Sequence, residues 1–281
     1  MNEKLRRGLK GHKILVFLDF EGTQFSHEMI AIGAISCGID PKSGKIKRRK
    51  DPFKIYVRAH NKIGGYVSEL TGITEDTLRK QGVTFDTAMK ALKKYVGINF
   101  KKATFITFGN HDLRIINQSI MYNMHYPKEI TSQVQKNYFD FSAFLNEFIK
   151  DDAGNALSLV HFCELFEVPE AGAAHDPEVD AVNLANLYDA FVSKPDLVAS
   201  EYLKHLRLHS GSYPSPINKA IISLASGKDV SAKEFEEEVK KYVSWLSTQT
   251  DKNINQQAKK LRLLINLKKT FPSQPLIEVW T

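Results

Sequence analysis

The chain has 281 residues, enough for one large domain or an ordinary domain with an appendage, and its 42% hydrophobic and 25% charged content excludes wholesale disorder. Two distant cysteines, Cys37 and Cys163, exclude a disulfide framework or zinc knuckle and read as buried reduced thiols; with no stretch near the roughly 18 apolar residues of a membrane span and no apolar leader-like segment, a soluble, cytoplasmic protein without a membrane partner is expected. The net charge of +7 favours polyanionic partners, and residues 201–281, with 13 Lys and Arg against 8 Asp and Glu, hold five of the seven excess charges.

The apolar run Ile14 to Leu18, ended by Gly22, is too short for a helix and reads as a central strand buried on both faces. Met29 to Cys37 and Phe53 to Ala59 follow as strands, and the basic stretch Lys42 to Asp51 between them reads as a solvated hairpin tip. After Gly65 the pattern turns helical: Thr74 starts one helix, and Phe85, Met89, Leu92 and Val96 recur at helical spacing. Thr104 to Phe108 is a further strand, handing over at Gly109-Asn110 to a helix marked by Leu113, Ile116 and Ile120. Helices are expected over Phe141 to Lys150, Leu157 to Phe166 and Pro177 to Val192. Three strands followed by alternating helix and strand imply an α/β fold, a mixed sheet flanked by helices.

Lys194-Pro195-Asp196 marks a boundary, which divides the chain into a domain over 12–195 and a smaller, basic helical region over 196–281. In that region Gly211 to Pro216 is a second break. Ser231 with Glu234 fits a capping box before the apolar face Phe235, Val239, Tyr242, Val243 and Leu246. Leu261, Leu264 and Leu267, interleaved with lysines and Arg262, suggest a second amphipathic helix.

Asp19 and Glu21 stand two apart at the end of a buried strand, so both carboxylates point to one face. Close carboxylates repel unless a cation neutralises them or one takes up a proton. Asp112 falls in the first turn of a helix, where a dipole or capping role alone would explain it. Asp176-Pro177 resembles a helix start, which puts His175 in the loop before it and Asp180 in the first turn. Together these are four acids at four element ends with a histidine beside the last, and their charge matches two divalent ions. Such an ion pair generates hydroxide and stabilises a leaving oxygen at phosphorus, and imidazole suits the acceptance of the water's proton.

At these residues the chain resembles the DEDDh exonucleases, a family with a ribonuclease H-like fold that includes polymerase proofreading subunits and Eri-type RNA 3′ exonucleases. The first motif is Phe17 to Thr23, the second Thr107 to Asp112, the third His175 to Asp180 followed by Ala181, and Ser68 to Thr74 resembles a segment the family carries between the first two. The resemblance covers about residues 12–193. It implies a ribonuclease H-like mixed sheet and a two-metal 3′–5′ exonuclease. In it Asp19, Glu21, Asp112 and Asp180 hold two Mg2+ or Mn2+ ions and His175 is the general base. The branch with tyrosine four residues before the last aspartate is disfavoured, because position 176 is Asp. By analogy Gly22 and Thr23 approach the terminal nucleotide and Leu70 packs on its base. The implied substrate is single-stranded RNA or DNA with a free 3′ end, cut to nucleoside 5′-monophosphates. Phe20 between the first two acids is closer to the Eri-type branch and leans towards RNA.

Two rival readings accompany this one. Leu15 to Thr23 also resembles the haloacid-dehalogenase phosphatases, in which Asp19 would be the nucleophile, but that pattern leaves His175 to Asp180 unexplained. A catalytically idle nucleic-acid-binding module would share the fold, although all five candidate catalytic residues are present.

Overall fold

The computed structural model describes residues 3–151, 153–169, 171–172, 175–194, 197–198 and 201. The chain divides into two compact units, one holding Leu5–Leu145 and Leu157–Ser193, the other Asn2–Lys4, Asn146–Ala156 and Lys194–Thr281. The break at Gly211 to Pro216 and the two amphipathic helices expected beyond Ser231 lie outside the described residues.

The six strands among the described residues all belong to the first unit. At its centre is β1 (Ile14–Gly22), longer than its apolar run because the strand continues through Asp19 and Glu21. It pairs antiparallel with β2 (Met29–Ile39) and parallel with β5 (Ala103–Thr107), which explains why Leu15 to Leu18 are all buried. The outer edge of β2 carries two strands in succession: β3 (Ile46–Arg49) beside Cys37–Ile39 and β4 (Phe53–Tyr56) beside Ala31–Ala34. On the other side β5 pairs parallel with β6 (Tyr138–Asp140). The sheet is therefore mixed and six-stranded, ordered β3-β2-β1-β5-β6 with β4 also on β2.

Helices follow in the order α1 (Glu3–Gly8), α2 (Gly65–Thr71), α3 (Glu75–Gln81), α4 (Phe85–Val96), α5 (His111–Tyr122), α6 (Lys128–Lys136), α7 (Phe141–Leu145), α8 (Leu159–Leu165) and α9 (Pro177–Ser193). Because side chains alternate along a strand, β1 feeds two cores. Val16, Leu18 and Phe20 pack with Met89 and Leu92 of α4 and Ile115 and Ile116 of α5. Phe17, on the opposite face, meets Tyr188 of α9 at 5.4 Å between ring centroids, and Tyr188 meets Phe141 at 5.7 Å. Thr74 and Thr84 cap α3 and α4 by accepting the N–H groups of Thr77 and Thr87.

Several boundaries differ from expectation. The basic stretch between the strands is only partly a turn, since Ile46–Arg49 pair with β2 as an edge strand, a position where Lys and Arg discourage pairing with another chain. The strand expected to reach Ala59 ends at Tyr56, after which Val57 bridges to Val83. The helix expected over Phe141 to Lys150 stops at Leu145, and the one over Leu157 to Phe166 begins after Ser158, which caps it. Both cysteines are buried, and neither forms a disulfide among the described residues. Among the described residues no helix is long and apolar enough to cross a membrane.

Candidate active site

The C-terminal end of β1 meets the N-terminus of α9 through one glycine. Asp19 is in register with Gly33 of β2, which is in register with Lys54 of β4, so these three positions share one face of the sheet. A methyl group on Gly33 would lie 1.8 Å from the carbonyl oxygen of Pro177. The missing side chain is what lets the start of α9 rest on the sheet beside Asp19.

That contact positions the third motif. Asp176 accepts the Glu178 N–H at 3.0 Å, as a residue preceding a helix does, while its other oxygen receives Lys54 Nζ at 2.6 Å. Asp180 falls one turn on, half-buried, and accepts the backbone N–H of His175 at 3.1 Å. His175 is exposed and adopts a left-handed backbone, φ 61°, a region in which histidine is among the tolerated residues.

Asp112 arrives from the other side. Beyond Phe17–Ile106 the pairing of β1 with β5 stops, and α5 begins in the gap. There the buried Asp112 accepts the Phe20 N–H at 2.8 Å, replacing the ladder bond β5 no longer supplies. Asp112 thus braces the neighbouring strand, while its carboxyl also takes its own backbone N–H in the first turn of α5.

Electrostatically the four acids form one group. Burial, then the charges of Asp112, Glu21, Asp180 and Asp176, holds the Asp19 carboxyl well above the usual carboxylate range. Burial, then Asp180, Asp112 and Asp176, pushes Glu21 up to about 8 against a small opposing effect of Lys54. Burial also raises Asp112, opposed by the Phe20 N–H, and Asp180, opposed by the His175 N–H. Each would rather be protonated or be met by a cation.

Among the described residues no group of three or more His, Cys, Asp or Glu side chains stands in an arrangement that could hold a metal ion. Asp112 commits an oxygen to Phe20, and the carboxylates repel one another. The chemistry of the set nevertheless fits a hard divalent cation, since all four donors are carboxylate oxygens and their like charges favour neutralisation.

The expected substrate contacts are more scattered. Gly22 is buried, a methyl group there lying 3.0 Å from Ile115. The Thr23 hydroxyl is engaged within its own turn, 2.9 Å from the Glu28 N–H and 2.6 Å from Ser26 Oγ. Leu70 lies exposed on α2, as do Tyr66 and, on the loop after β1, Phe25. Sequence reasoning passed over Lys54 and Asp140. Asp140, at the end of β6, accepts the Gly109 N–H at 3.1 Å and adds to the field that raises Asp112. An acid closing a short aromatic run, Tyr138-Phe139-Asp140, was the available signal.

The exonuclease family model, RNase_T, matches residues 16–188, which include all the elements just described except α1, the first two residues of β1 and the end of α9. The chain belongs to this exonuclease family. Its sheet and helices are those of the ribonuclease H-like exonuclease fold. The nuclease domain of 3′hExo, a DEDDh family member bound to rAMP, is similar at a TM-score of 0.52 and 20% identity, covering 65% of this chain and 93% of that one. Cell-death related nuclease 4 (CRN-4) is similar at 0.51 and 23%, covering 65% and 64%. The zinc-bound complex of E. coli ExoI with single-stranded DNA is similar at 0.50 and 16%, covering 75% and 45%. This chain thus spans less than two thirds of the latter two proteins, and at these identities the likeness is one of fold. No curated protein matches the chain.

Proposed function

We propose that the chain is a 3′–5′ exonuclease on single-stranded nucleic acid, RNA favoured over DNA, that releases nucleoside 5′-monophosphates from a free 3′ end. The observation that carries this reading is the electrostatically linked set of carboxyl groups of Asp19, Glu21, Asp112 and Asp180, drawn from β1, α5 and α9 to one end of the sheet. The rAMP of 3′hExo and the single-stranded DNA of ExoI support the choice of substrate.

The four carboxylates would hold two divalent ions, Mg2+ or Mn2+. When bound, such ions lower the pKa of water and offset charge on the leaving oxygen. The chain's own part is to orient and to move a proton. Asp180 fixes the His175 backbone, leaving the imidazole on exposed loop where it can take the proton that the attacking water loses. The water oxygen adds to phosphorus as the P–O3′ bond breaks, and the departing O3′ takes a proton from solvent. The left-handed backbone of His175 fits a residue held for this purpose. Gly22 and Thr23 shape the floor for the terminal nucleotide, and Leu70 offers an apolar surface to its base.

Incubation of the purified protein with 5′-labelled RNA and DNA oligomers in Mg2+, Mn2+ or EDTA tests this reading. A metal-dependent ladder shortening from the 3′ end, faster on RNA, is expected. Binding without cleavage would point to an idle module, and hydrolysis of small phosphate esters to a phosphatase.

A further inference from the structure

The carboxylates occupy one end of the sheet, and the opposite end is ringed by cations. Arg48 of β3 is in register with Gly38 of β2, Gly38 with Ile14 of β1, and Ile14 with Ala103 of β5. Lys13 and Lys102 immediately precede the last two positions, and the Lys13 carbonyl accepts the Ile39 N–H at 2.9 Å. Lys101 precedes Lys102, and Lys45 and Lys47 flank Ile46, itself paired with Ile39. One transverse row across four strands therefore brings Lys13, Lys45, Lys47, Arg48, Lys101 and Lys102 together. All six are exposed.

Among the described residues none of the six is ion-paired with a carboxylate. The acids nearby bond to backbone and are fewer than the six cations, and Asp40 lies in the field of Lys47. Asp40 accepts the N–H groups of Lys42 and Ser43 at 3.0 and 2.7 Å, and Asp189 accepts the Ile46 N–H at 2.9 Å; Asp51 is exposed beside β3. Blunting of the β3 edge would account for Lys47 and Arg48 but not for Lys13, Lys101 and Lys102, which precede interior strands with no edge to protect. Like charges set along a row of four strands, ~4.8 Å apart from one strand to the next, overlap their fields between neighbours at a Debye length of about 8 Å in physiological salt, raise the local potential and suit a polyanion.

We propose that this basic end is a second nucleic-acid contact, which grips the phosphate backbone of the substrate away from the reacting 3′ end. The inference rests on the nuclease reading above. From Ile14 to Glu21 the strand rises about 23 Å at ~3.3 Å per residue, so the grip acts on strands long enough to reach past the site. Sequence-independent backbone contacts of this kind set affinity and leave the chemistry untouched.

The test compares the full-length protein with Lys13→Gln/Lys47→Gln/Arg48→Gln. Binding of a fluorescent single strand of about 20 nucleotides, ~3.4 Å each when stacked, is measured in EDTA across a salt series. Three lost contacts make the log–log salt slope shallower by about 2, at ~0.7 per contact on a single strand. The KM for the long strand rises, while turnover of a dinucleotide, too short to reach the basic end, stays unchanged. The charge-preserving set Lys13→Arg/Lys47→Arg/Arg48→Lys keeps the original slope. If the neutral triple variant loses dinucleotide turnover through misfolding, Lys101→Gln/Lys102→Gln provides the same test with a change of about 1.4. An unchanged slope with intact dinucleotide turnover overturns the proposal. So does loss of binding to polyglutamate with nucleic-acid binding intact, which assigns the surface to an acidic protein. If the unsubstituted protein cleaves neither strand, the proposed exonuclease reading fails while the EDTA binding slope still decides this one.

Discussion

Lys54 Nζ lies 2.6 Å from Asp176 Oδ2, tying the edge strand β4 to the residue between His175 and the first turn of α9. The pair is partly exposed, at 22% and 36% of the side chains, so its share of global stability is only about 0–1 kcal/mol. Its larger effect is positional, since Asp176 also accepts the Glu178 N–H that begins α9. Lys54→Met is therefore expected to leave the melting temperature nearly unchanged and to lower kcat about tenfold, the effect of ~1.4 kcal/mol in the barrier. Lys54→Arg restores part of the rate. A normal kcat in Lys54→Met would show that the loop holds its place without this tie.

The raised Glu21 carboxyl gives a pH signature. In the folded protein it titrates at about 8, against 4.5 as the ordinary value, chiefly through burial and then the charges of Asp180 and Asp112. Between these two values the folded state binds more protons than the unfolded state, so the stability contributed below pH 4.5 is lost as pH rises through 8. Asp19, Asp112 and Asp180 are raised as well and act in the same direction. In EDTA the melting temperature should fall between pH 5 and pH 8. Magnesium ions should reverse the fall, with the largest gain at pH 8, where more carboxylates are ionised. A melting temperature in EDTA that rises over this range would contradict the raised values.

Much of the sheet is legible in the sequence because its central strands announce themselves by composition. The run from Leu15 to Leu18 reads as a strand buried on both faces, and Asp19 and Glu21 inherit a shared direction from its two-residue period. The ends of Thr104 to Phe108 and of the loop at His175 likewise place Asp112 and Asp180 near helix starts. What the sequence does not carry is register. That Gly33 stands between Asp19 and Lys54, and that Pro177 crosses above it, depends on strand pairing and helix docking set by contacts distant along the chain. The role of Asp112 as acceptor for Phe20 is hidden for the same reason, since helix position alone explains an acid in a first turn. β6, only three residues long, has too little periodicity to be read.

The close approach at Gly33 can be tested by adding one methyl group. Its carbon would stand 1.8 Å from Pro177 O and 2.5 Å from the Glu178 nitrogen, both backbone atoms of a helix start, so the helix must move rather than a side chain rotate. Overpacking of this sort costs about 1–3 kcal/mol. Gly33→Ala should lower the melting temperature and, by lifting Asp180 and His175 from the sheet, reduce activity by more than the stability loss explains when assayed well below the melting point. Gly38, whose added methyl would meet nothing closer than 3.8 Å, is the control, and Gly38→Ala should retain activity. Equal activity in the two variants would mean that the docking of α9 tolerates the shift.

Asp19→Asn separates the carboxylate's chemical role from its place in the fold. Asparagine keeps the size and removes the charge that Asp112, Glu21 and Asp180 repel. In EDTA at pH 8 the variant should therefore melt no lower than the unsubstituted protein, because the repulsion it relieves offsets any bond it loses. Activity should fall by at least about 10²–10³-fold, the scale on which single charge-stabilising groups act in a water-poor site. The stabilisation by magnesium ions should shrink in parallel, and a thermal melt with and without the metal reads this without any turnover. Full activity in Asp19→Asn would remove the central carboxylate from the proposed site. Lost activity with undiminished magnesium stabilisation would place the ion elsewhere and keep Asp19 only as a residue that touches substrate.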